Sequence, residues 1–72
     1  MEKGFQLYDV VTLTEDLSQH GLMRGQVGTI VEQYSPDAFE VEFVDNSGHT
    51  YALVTLKSKQ LLVLQYEPAQ AA

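Results

Sequence analysis

The chain has 72 residues, 44% of them apolar, no cysteine, and ten acidic residues against four basic ones for a formal charge of −6. That is the composition of one folded domain, and it excludes disulfide staples, thiolate chemistry and cysteine metal sites. It also disfavours polyanionic partners, because nucleic-acid affinity rests on neutralising phosphates, and favours a basic one.

A chain of this length buries only about 60% of its unfolded surface, and its stability is expected at about 4–11 kcal/mol. Packing alone must supply that stability, with help from any self-association. No cleft of ordinary enzyme size is expected, and no cofactor. Met1-Glu2-Lys3-Gly4-Phe5 has no apolar run of the signal-peptide kind, and no stretch approaches a membrane span. A soluble, cytoplasmic protein is therefore expected.

Residues 1–6 have no period and are read as a flexible lead. Residues 7–14 (Leu-Tyr-Asp-Val-Val-Thr-Leu-Thr) are rich in β-branched side chains and predict a strand, with Leu7, Val11 and Leu13 on its buried side. Residues 15–25 form a long loop, which must be packed down or functional in so small a domain. Leu17 and Leu22 are its expected anchors.

Residues 26–34 predict the second strand. Val27 and Ile30 are three apart, which a regular pleat puts on opposite faces. A bulge at Gly28-Thr29 would bring both inward, and is the preferred reading; the alternative is a regular strand with Val27, Thr29 and Val31 on one side. Ser35-Pro36-Asp37 reads as a turn. Phe39-Glu40-Val41-Glu42-Phe43 is the cleanest alternation in the chain, with the aromatics and Val41 inward and both carboxylates outward. Asp45-Asn46-Ser47-Gly48 suits a hairpin loop with Gly48 left-handed.

Residues 49–56 predict the partner strand, apolar on both parities and so expected to be covered on one face and partly on the other. Lys57-Ser58-Lys59-Gln60 is a polar break that fits one 3₁₀ turn, and Leu61-Leu62-Val63-Leu64 a short last strand. Residues 7–64 thus form the domain, and 65–72 a disordered tail. Five short strands suggest a small, strongly bent antiparallel barrel, because closure removes open edges. The short last strand leaves an edge on which a weak homodimer could form; otherwise the chain is monomeric.

The succession of strand, long loop, Gly25-Gln26-Val27-Gly28-Thr29-Ile30-Val31 and Phe39-Glu40-Val41-Glu42-Phe43 resembles SH3-like barrels of the KOW type. Together with Tyr8-Asp9-Val10-Val11-Thr12-Leu13-Thr14, His20-Gly21-Leu22 and Val54-Thr55-Leu56, it also resembles a family of short bacterial proteins known as domain of unknown function 4926. The resemblance covers nearly the whole folded part. It implies an all-β, five-stranded SH3-like barrel in a bacterial cytoplasm, and no reaction or catalytic residue. It also implies a setting beside a second small, toxin-like gene, hence an antitoxin, immunity or accessory role.

The residues themselves carry no catalytic constellation. His20 and His49 lack a third ligand or a nucleophile at useful spacing and read as solvated loop histidines. The glycines at 21, 25 and 28 are not followed by Lys-Ser/Thr or by a helix, so a phosphate cradle lacks its basis. Tyr8-Asp9 begins like a proline-binding SH3 domain, yet the chain has no tryptophan and scattered tyrosines. What remains is a non-catalytic module that binds a protein through a surface. The candidate residues are Glu15, Asp16, His20 and Arg24 on the long loop and Glu40 and Glu42 on the outer sheet face, with no metal among their expected ligands. The second reading is RNA or ribonucleoprotein binding through Arg24, Lys57 and Lys59, which the net charge of −6 disfavours.

Overall fold

The structure is a computed structural model that describes residues 4–64. The tail expected at 65–72, and residues 1–3 of the lead, lie outside that range. Five antiparallel strands form one sheet in the order β4-β3-β2-β1-β5: β1 (Val10–Leu13), β2 (Val27–Ser35), β3 (Ala38–Val44), β4 (Thr50–Leu56) and β5 (Leu61–Val63). A 3₁₀ turn, Ser58–Gln60, precedes β5, as expected. The fold is the anticipated all-β, five-stranded antiparallel one, but β4 and β5 are its two edges. Hydrogen bonds therefore do not close the barrel. Among the described residues no helix is long and apolar enough to cross a membrane.

The core draws on every strand and on the long loop. Val11, Leu13, Leu22, Ile30, Val41 and Phe43 are fully buried, joined by Phe39, Leu56 and Leu61. The β3 alternation is the one read from sequence. The loop anchors are also as expected: Leu22 is in the core, Leu17 packs against it, and the two pair through backbone bonds of 2.9 and 3.1 Å. Between them Ser18–His20 makes a second 3₁₀ turn. Phe5 packs at a tilt on Phe39, with ring centroids 5.3 Å apart.

Three details differ from the sequence reading. The first strand starts at Val10, not Leu7. The Asp9 carboxylate accepts the Gln6 N–H at 2.9 Å, and the Asp9 N–H returns to the Gln6 carbonyl at 3.1 Å. That turn holds Tyr8 at φ 71 and leaves Leu7 exposed.

The bulge expected at Gly28-Thr29 is absent. Val11 pairs with Gly28 and Val10 with Thr29 in unbroken register, while the irregularities of β2 fall later, between Ile30 and Glu32 and between Gln33 and Ser35. Gly28 and Ile30 face inward, and Val27 is 46% exposed. Gly28 is there because β3 crosses too close for a side chain. A Cβ would lie 2.7 Å from Val41 Cγ1 and 3.0 Å from both the Glu42 carbonyl oxygen and Phe43 Cδ2.

The third difference is on β4. Its second parity is not partly covered: Tyr51, Leu53 and Thr55 are all exposed. The loop before it follows the expectation, with Gly48 left-handed at φ 86 and Asp45 Oδ1 accepting the Ser47 and His49 N–H groups at 2.8 and 2.9 Å.

Candidate functional site

The base of the long loop is stitched across its ends. The Leu13 N–H donates to the Gln26 carbonyl at 3.0 Å and the Gly25 N–H to the Leu13 carbonyl at 2.9 Å. Above that base, Asp16 Oδ1 accepts the Arg24 N–H at 2.8 Å, and Gln26 Oε1 accepts the Met23 N–H at 2.6 Å. The loop is thus a fixed wall. Its 3₁₀ turn stands opposite the C-terminal half of β4, and an open cleft of about 340 Å³ lies between them, lined by Asp16, Ser18 and His20 on one side and Thr55, Leu56 and Gln60 on the other.

Two of the six residues singled out in the sequence line this cleft. Asp16 and His20 line it directly. Glu15 stands behind Gln60, whose side-chain N–H donates to Glu15 Oε2 at 3.1 Å. Glu40 stands behind Thr55, whose hydroxyl donates to Glu40 Oε1 at 2.9 Å. Arg24 contributes its backbone N–H to Asp16. Glu42 is set apart, on the outer sheet face, with its carboxylate holding the Thr50 hydroxyl.

One carboxylate, that of Asp16, therefore lines the cleft, two more accept hydrogen bonds from its lining residues, and no Lys or Arg lines it. The negative field extends along β3. Glu32 and Glu40 are directly paired across β2 and β3. The Tyr34 phenol titrates above its ordinary value, through partial desolvation first and then through the Glu40 and Glu32 carboxylates. Lys57 and Lys59 belong to the 3₁₀ turn before β5, next in sequence to the lining residues Leu56 and Gln60. The Asp37 carboxyl is held below the usual carboxylate range by the Ser58 hydroxyl, then by the Ser58 N–H at 2.8 Å, with Lys57 and Lys59 adding to the effect.

The remaining candidates are solvated. His49 lies 3.8 Å from Asp45 and is largely exposed. No buried side chain among the described residues is polar or charged, and no group of three or more His, Asp or Glu is placed to hold a metal ion.

Thr55, Gln60 and Ser18 were missed in the sequence. Nothing in a Thr or Gln on a predicted strand or turn marks it as the wall of a cleft; only the approach of the loop to β4 does so. Val27 is exposed where the preferred sequence reading turned it inward, and Leu53 is exposed where partial cover was expected.

The family model described as "Domain of unknown function (DUF4926)" matches residues 7–63, which is the span of the sheet and the long loop. The chain belongs to the DUF4926 family. No curated protein and no solved structure matches it. Membership brings no assigned activity, so function must be argued from the cleft.

Proposed function

We propose that this DUF4926 domain is a non-catalytic interaction module of the bacterial cytoplasm, and that it binds a basic protein partner at the cleft between the long loop and β4. The observation that carries this reading is the charge around the cleft: Asp16 lines it, Glu15 and Glu40 accept hydrogen bonds from its lining residues, and no Lys or Arg lines it. Opposed potentials of this sort steer encounter and select partners more than they add affinity. The rigidity of the loop supports the same reading, because an ordered wall loses little entropy on binding. Such a module would serve as an accessory subunit or as an antitoxin- or immunity-type partner.

The test is capture from cells at low salt by the wild-type chain and by the doubly charge-reversed variant Glu15→Lys/Glu40→Lys. The expected result is a stoichiometric basic protein held by the wild type, released by moderate salt and absent from the variant. Equal capture by both, no stoichiometric partner, or substrate turnover by the purified chain would each overturn the proposal.

A further inference from the structure

β4 presents an open edge of the sheet. Residues 46–56 hold no Asp, Glu, Lys or Arg, and no other stretch of the chain runs so long without one. β4 also has no proline, and from Ala52 to Leu56 its register with β3 is unbroken; the one irregularity lies before Ala52, between the Phe43 and Val44 pairings. Soluble proteins usually blunt an edge strand with lysine, proline or a bulge along its length.

The direction of its free groups follows from the neighbouring strands. Ile30 uses both main-chain groups on the segment before β1: its carbonyl accepts the Tyr8 N–H at 2.7 Å and its N–H donates to the Asp9 carbonyl at 3.0 Å. Main-chain groups alternate sides along an antiparallel sheet. Ile30 is paired with Val41 and Val41 with Val54, so Val41 and Val54 face each other with their N–H and carbonyl groups. The groups of Leu53 and Thr55 must then point away from β3. Among the described residues none of Thr50–Leu56 makes a backbone hydrogen bond outside that pairing. The cleft opens beside this half of β4, at Thr55 and Leu56.

We infer that the partner enters as an extended segment that pairs with β4, its main chain bonded to Leu53 and Thr55 and its alternate side chains basic. This rests on the reading of the cleft as the partner site and adds the mode of binding. Main-chain bonds to a sheet edge supply affinity without demanding a sequence, and side chains at period two supply the selection. A strand added at this edge runs beside the cleft, with Asp16 on the loop side and the carboxylates of Glu15 and Glu40 behind Gln60 and Thr55 on the other. A second copy of the chain is a poorer occupant, because its own long loop, standing beside its own β4, would have to enter the same cleft.

The experiment is an NMR titration of the whole chain with a blocked peptide of alternating lysine and valine, and with the same peptide N-methylated at alternate residues so that one edge cannot donate. The expected result is a shift and slowed exchange of the Leu53 and Thr55 amides, and affinity reduced tenfold or more by methylation. The variant Leu53→Pro, at a position whose N–H bonds nothing in the fold, should lose the peptide while keeping its dispersed spectrum. If both peptides bind equally at His20 and Thr55, strand pairing is wrong and the charge reading survives. If neither peptide perturbs the cleft, both fail. Broadening with concentration of the chain alone, centred on Leu53, would instead assign the edge to self-association and overturn the inference.

Discussion

Adding a single methyl at Gly28 tests the packing of β2 against β3 more sharply than removing any large side chain. Built at ideal geometry, the new carbon meets Val41 Cγ1 at 2.7 Å, closer than carbon atoms approach without displacement, and meets the Glu42 carbonyl oxygen and Phe43 Cδ2 at 3.0 Å. Val41 and Phe43 are both fully buried, so neither can swing into solvent. The Glu42 oxygen belongs to the ladder itself, since Glu42 is paired with Thr29. Overpacking of this kind costs about 1–3 kcal/mol. The entropy removed from the unfolded chain on replacing glycine returns only about 0.4–1 kcal/mol.

Gly28→Ala should therefore destabilise by about 1–2 kcal/mol, which lowers the melting temperature by roughly 5–15 °C in a domain of this size. Gly28→Val should cost more. Urea and thermal unfolding followed by circular dichroism measure both. Combining Gly28→Ala with Val41→Ala removes the closest contact, so the double variant should be more stable than the sum of the single effects by about 1 kcal/mol. A melting temperature for Gly28→Ala within about 2 °C of the wild type, or strict additivity in the cycle, would refute the crossing of β3 over Gly28.

Phe43→Ala should cost about 3–5 kcal/mol, a large share of the whole stability, because the ring is fully buried among core residues; a variant of near-normal stability in urea would show that β3 has the opposite parity. Acid should weaken the tie between the β2–β3 turn and the 3₁₀ turn before β5. The folded Asp37 carboxyl titrates below its unfolded value, so its contribution is present above the unfolded pKa, near 3.9, and is lost as pH falls through the folded one. Ser58→Ala removes the hydroxyl that chiefly lowers it and should flatten stability against pH in that window; an unchanged pH profile would count against the tie.

The hairpin of β3 and β4 was legible because Phe39, Val41 and Phe43 alternate with two carboxylates, and a slip of one residue would bury both charges. The parity of β2 was not, and the reason is Gly28 itself. An inward position filled by a neighbour's side chain contributes no apolar letter, so Val27 appeared to be the inward residue and a bulge was needed to accommodate it. Leu7 was misplaced because a turn held by one carboxylate, that of Asp9, leaves no trace in hydrophobic periodicity. As for the site, Asp16, His20, Glu15 and Glu40 could be named singly from loop length and strand alternation. Their convergence could not, because it depends on the 3₁₀ turn of the loop standing opposite Thr55, thirty-five or more residues away in sequence. The free edge was equally hidden, since a strand's position in the sheet order is a property of the whole topology.

The place of β1 has a consequence for the birth of the chain. Val11 pairs with Gly28 on one side and with Val63 on the other, and the Leu64 N–H closes on the Val10 carbonyl at 2.9 Å. β2, β3 and β4 follow one another through short turns, so that meander can assemble as it is synthesised. Within the domain, β1 is therefore completed only when β5 has been made. Until β5 emerges, β1 offers the exposed edge that β4 later keeps, and Leu61 is missing from the core. The domain is thus committed to its finished form only once β5 has been made and paired with β1.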